Sequence, residues 1–152
     1  MNTPRTPLFT ALALAGVLAA PAAFAQFASA PPAAKPKVVA ASTATTPQAY
    51  KKDGAKHLYA AYAKQIHKGK LQPLLYGVAI IETTIGPQGE VQDVRVVRQP
   101  AAAEVTPWAV GMIKAAAPFP APQKLGSVTY TDIWLVNKQG RFQLDTLTEG
   151  QR

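Results

Sequence analysis

Residues 76–98, YGVAIIETTIGPQGEVQDVRVVR, decide the fold. Val78, Ile80, Ile81, Thr83, Thr84 and Ile85 form one β-branched run, and Val91, Val94, Val96 and Val97 form a second. β-branched side chains favour the extended backbone of a pleated surface. Between the runs stands Gly86-Pro87-Gln88-Gly89. Pro87 pre-sets φ for the first central turn position and Gly89 tolerates the positive φ that follows, so the pair of runs predicts a hairpin. Its charged residues, Glu82, Glu90, Asp93, Arg95 and Arg98, are spaced as on a solvated sheet face and do not by themselves mark chemistry.

Downstream of the hairpin, Ala109, Met112, Ile113 and Ala116 recur at i, i+3, i+4 and i+7, which predicts a helix with a small apolar face. Thr106 is the expected N-cap and Pro107 the first helical residue. Pro118, Pro120 and Pro122 then end the helix and impose an extended segment over Ala117–Gln123, with Phe119 turned inward. Val128–Val136 reads as a third strand, Asn137-Lys138-Gln139-Gly140 as a turn, and Arg141–Leu147 as a fourth strand with Phe142, Leu144 and Thr146 on one face.

Upstream, Leu58, Tyr62 and Ile66, with Tyr59 and Ala63 beside them, predict a helix over Ala55–His67 whose opposite face carries Lys56, Lys64 and Lys68. That stripe is ordinary core packing and the lysine face an ordinary solvated one. Gly69 and Pro73 end the helix. The order helix, strand, strand, helix, strand, strand gives an α+β fold: a small antiparallel sheet of three to four strands with two helices packed on one face.

Three segments divide the chain: a leader over 1–25, a linker over 26–49 and a domain over 50–152. Arg5, the apolar run Leu8–Ala20 and Ala23-Phe24-Ala25 are the charged, apolar and small-residue regions of a secretory signal peptide cleaved after Ala25. The alternative is an uncleaved inner-membrane anchor, because Leu8–Ala30 is about long enough to span a bilayer. Gln26–Ala49 is rich in Ala, Pro, Thr and Ser, carries only Lys35 and Lys37 as charges, and lacks apolar periodicity. It reads as a spacer, reaching on the order of 70 Å if extended at about 3.1 Å per residue, or as a frayed terminus.

The chain carries 16 Lys and Arg against 8 Asp and Glu, and no Cys. Loss of Arg5 with the leader leaves a net charge of +7. Export argues against nucleic acid as partner and favours anionic lipid, cell wall or an acidic protein surface. With no disulfide available, folding rests on the apolar core.

Signatures of catalysis are sparse. His57 and His67 form no H-x-x-x-H pattern, and without Cys or clustered carboxylates no metal site is expected. Ser127 follows Gly126 but lacks the second glycine of a nucleophile elbow, and the glycines stand singly, so no phosphate loop is present. Glu82 and Asp132 lie on strands, where carboxylates ordinarily face solvent. Neither a catalytic set nor a cofactor or small-molecule substrate is expected.

Taken in order, IETTIGPQGEVQDVRVVRQP, the helix ending AVGMIKAAAPFPAPQ and the following strand resemble the C-terminal domain of the TonB and TolA families of periplasmic energy-transducing proteins. The likeness covers about Tyr50–Val136, and the run Tyr59-Ala60-Ala61-Tyr62 is closer to the TolA type. It implies a non-enzymatic interaction domain in the periplasm of a Gram-negative cell, linked to energy-dependent outer-membrane transport. Its partner would be an extended segment of a periplasmic or outer-membrane protein, captured by strand addition at a sheet edge. Unlike the membrane-anchored transducers, this chain has no histidine before His57. Its extra strand places the partner edge at Arg141, Phe142, Gln143, Leu144 and Asp145, or alternatively at Val91–Val97. A second reading is a basic protein that binds peptidoglycan or an anionic envelope surface through its lysines.

Overall fold

The computed structural model describes residues 26–34 and 39–150. The expected leader over 1–25 lies outside them. Two helices and four strands follow the expected order: α1 (Pro47–Ala61), β1 (Gly77–Ile85), β2 (Val91–Arg98), α2 (Val105–Ala115), β3 (Val128–Val136) and β4 (Phe142–Leu144), closed by a 3-10 turn over Asp145–Leu147. The sheet is antiparallel, in the order β2-β1-β3-β4.

The hairpin forms as its turn residues dictate. Gly86 N donates to Glu90 O, Gly89 N donates to Gly86 O, and Gly89 takes a φ of +86°. A second constraint falls on Gly89: a Cβ there would collide with the backbone carbonyl of Phe119, whose amide donates to Gly89 O at 2.8 Å. The hairpin turn is thereby tied to the proline-rich segment, and Phe119 is buried as expected.

Strict alternation along β1 and β3 builds a one-sided core. Ala79, Ile81, Thr83 and Ile85 point to the buried face with Val128, Tyr130, Trp134 and Val136, while Val78, Ile80, Glu82 and Thr84 stay half-exposed on the other. Both helices cover the buried face. From α1 come Tyr50, Ala55, Leu58 and Ala61; from α2 come Val105, Trp108, Ala109, Met112 and Ile113. Trp134 and Phe142 stack at 4.7 Å between ring centroids, and Trp108 stands edge-on to both. Gly54 permits the close approach of α1 to β3, since a Cβ there would lie 2.8 Å from Tyr130 Oη.

Several boundaries differ from the sequence expectation. The first helix begins at Pro47, inside the expected linker, and ends at Ala61 instead of His67. Thr46 caps it by accepting from Ala49 N, and Pro47 occupies the first turn, a start signal that the alanine-rich context obscures. The stripe accordingly begins at Tyr50, and Ala63 is exposed. Thr106 does not cap the second helix: Glu104 holds that position without a side-chain bond, and the Thr106 hydroxyl has no partner among the described residues. The fourth strand stops at Leu144, so Thr146 lies in the 3-10 turn and not on a strand face.

The segment read as a linker is laid against the domain where it is described. Phe27 is buried, stacked on Tyr76 at 5.4 Å and edge-on to Trp108 at 5.3 Å. Ala34 N donates to Ala61 O, and Ser42 pairs with the proline-rich segment through Ala121 O. One aromatic side chain supplies a burial that low-complexity composition hides.

Candidate interaction site: two unequal sheet edges

A four-stranded open sheet has two edges, and a free edge presents unpaired N–H and C=O groups. In this protein the two edges, at β4 and β2, are in opposite states.

The β4 edge is occupied by the chain itself. Phe142 N donates to Gln65 O at 2.9 Å and Phe142 O accepts from His67 N at 3.0 Å, the two bonds of a short parallel pairing. Leu144 N donates to the Tyr59 hydroxyl at 3.1 Å. Gln143 is 1 % exposed, and its amide is fully used: Nε2 donates to His67 O and Gly69 O, and Oε1 accepts from Thr148 Oγ1 and Glu149 N. Of the expected partner-binding residues, Phe142 and Leu144 are core, Gln143 is a buried clasp, and Asp145 accepts from Ile133 N and Lys51 Nζ. Only Arg141 is exposed, and its amide donates to Asn137 Oδ1 in the turn. The structure leaves these residues no edge to offer.

The β2 edge is open. Among the described residues, no hydrogen bond joins the backbone of 91–98 to any segment but β1. Register shifts at Gln92 and Val97 bracket the stretch Asp93-Val94-Arg95-Val96. Within it, Val94 and Val96 oppose Thr83 and Ile81 on the core side, while Asp93 and Arg95 oppose Thr84 and Glu82 on the outer side. Arg95 is held by Glu82 through contacts of 2.8 and 3.0 Å, but Asp93 makes no ion pair among the described residues. Charges and bulges of this kind keep an edge from pairing indiscriminately while leaving a short stretch of backbone available. The alternation in VQDVRVVR was the available signal for this edge, which in the sequence stands as the alternative to the last strand.

Below the sheet lies an unexpected buried acid. Asp132, expected to face solvent, is 3 % exposed on the core side of β3. Its Oδ1 accepts from Thr146 Oγ1 at 3.1 Å and lies 3.6 Å from Lys51 Nζ; Oδ2 has no donor among the described residues. Burial, reinforced by the Asp145 carboxyl, pushes Asp132 up to about 8 against the pull of Lys51. Burial also acts to raise Asp145, but the neighbouring Asp132 carboxyl, the bond from Ile133 N and Lys51 together hold it below the usual range. Of the two acids, the more deeply buried Asp132 is the one held toward its neutral form. This cluster anchors the 3-10 turn to α1 and β3.

Neither histidine is bonded to a carboxylate among the described residues. His67 contacts Lys70 O and Asn137. His57 is buried against Phe119, its Nε2 2.8 Å from Ala116 O. It also borders a cleft of about 400 Å³ shared with Ser42, Asp53 and Lys56, in which Ser42 Oγ donates to Asp53 at 2.6 Å. No cluster of three metal-ligating side chains occurs among the described residues. No helix among them is long and apolar enough to cross a membrane.

Fold and edges define a class: a small α+β domain whose one-sided antiparallel sheet has one edge closed by its own chain and one edge open. Comparison with family models, with curated proteins and with solved structures gives no match for this chain.

Proposed function

We propose that this protein is a non-enzymatic interaction domain of the cell envelope that captures an extended segment of a partner protein by strand addition at β2. The observation that carries the reading is the inequality of the edges: β4 is bonded to 65–67 and Tyr59, whereas β2 has no backbone partner beyond β1 among the described residues. The resemblance of the hairpin and the Ala-Pro-Phe-Pro helix ending to TonB and TolA C-terminal domains supports the same mode, with the recognition strand moved to the opposite side of the sheet. Strand addition draws affinity from main-chain bonds and selectivity from alternate side chains. Val94 and Val96 would favour apolar residues on the core side of the incoming strand. The signal-peptide features of 1–25 support a periplasmic setting.

Panning the folded chain against a library of linear peptides tests this. Enriched peptides are expected to carry alternating apolar residues and to slow amide exchange in Val91–Arg98. Protection confined to the cleft beside His57, or no enrichment at all, would overturn the proposal.

A further inference from the structure

Asp93-Val94-Arg95-Val96 is complementary in charge to a second copy of itself. We infer that β2 also pairs antiparallel with β2 of another molecule, centred on Val94, so that a symmetric dimer covers the recognition edge. The inference rests on the reading of β2 as that edge and concerns its regulation.

Register follows from elementary constraints. Residues directly opposite in an antiparallel pair share a face, and a slip of one residue reverses every side chain. A two-fold axis normal to the sheet, which keeps the core sides of both copies together, must therefore pass through one residue position of β2. Centring on Asp93 sets Asp93 against Asp93, and centring on Arg95 sets Arg95 against Arg95; like charges directly opposite destabilise a pairing. Centring on Val96 sets Arg95 against Val97, where the ladder with β1 is already interrupted by a register shift. Centring on Val94 sets each Asp93 against the other copy's Arg95 and Val94 against Val94. Each Arg95 then stands between its own Glu82 and the facing Asp93, giving a charge ladder of alternating sign across the joined sheet.

The register shifts at Gln92 and Val97 keep this pairing short. A contact of so few residues falls among weak, transient interfaces, so the dimer is displaceable by a segment that pairs better. Self-pairing and partner capture compete for the same backbone groups, and the free edge is shielded until a partner arrives.

Sedimentation equilibrium of the full chain across a wide concentration range is expected to show a reversible monomer–dimer equilibrium. Asp93 is exposed and makes no ion pair among the described residues, so Asp93→Arg should leave the fold intact. It should raise the dimer dissociation constant by at least about tenfold, because two attractions become two repulsions. The chain has no cysteine, so Val94→Cys reports the axis directly. Paired Cα atoms at about 4.5–5.5 Å fit a disulfide, whereas Gln92→Cys would sit about 14 Å from its copy along the strands and should cross-link far more slowly. A chain that stays monomeric, with the two cysteine variants cross-linking equally slowly, overturns the dimer, as does a dimer unaffected by Asp93→Arg. Peptide capture at β2 by a strictly monomeric chain would sink self-pairing alone; a Val94-centred dimer that captures no peptide would sink the partner reading alone.

Discussion

Asp132 shows how much one buried carboxyl can do when its neighbours are arranged around it. Lys51 and Tyr59 face it from α1, Tyr130 from its own strand, and Asp145 and Thr146 from the 3-10 turn. Its value in the folded protein, about 8, lies above the ordinary 3.8. The neutral form is therefore the one that folding favours, and this contribution is complete below the ordinary value and lost as pH rises through 8. Asp145 is displaced downward, so its contribution appears above the ordinary value and is lost in acid. Asp132→Asn, which mimics the neutral acid, should leave stability at pH 3 nearly unchanged and raise it at pH 9 by on the order of a few kcal/mol. Urea unfolding at both pH values measures this. Parallel pH profiles for the two proteins would show that Asp132 does not hold the proton.

At the scale of elements, β1, β2 and β3 were legible because period-two β-branched runs and a Pro-Gly turn act locally, and their bounds match the structure almost to the residue. The second helix was legible through its apolar spacing, although not through its cap, because Thr106 lies one residue inside. What was not legible depends on distant partners. Tyr50 and Gly54 belong to α1 because Tyr130 lies across from them, and Phe27 is core because Tyr76 and Trp108 leave a slot for its ring. No periodicity in an alanine- and proline-rich stretch announces such contacts. Phe27→Ala should destabilise the protein by about 3–5 kcal/mol, the range for loss of a buried aromatic ring, where an exposed spacer residue would change stability by less than about 0.5 kcal/mol. Chemical denaturation at fixed pH separates the two.

For the whole molecule, the same reasoning explains why the closed β4 edge was read as an open one. The last strand is the natural candidate when only the order of elements is known, since it ends the sheet. Its closure comes from 65–69, a segment with no strand pattern, and from the Tyr59 hydroxyl, which counts in sequence only as part of an aromatic stripe. Both act through backbone or polar atoms that hydrophobic patterning does not register. β2 is left as the open side of a sheet whose other side is sealed, and the proposal of strand addition at β2 rests on that asymmetry. Residue-resolved amide exchange of the free chain at low concentration tests it most directly. Phe142, Leu144 and His67 amides should be protected, while those β2 amides between Gln92 and Val97 that do not bond to β1 should exchange near the rate of exposed backbone. Rapid exchange at Phe142 and Leu144, with uniform protection along β2, would contradict the account.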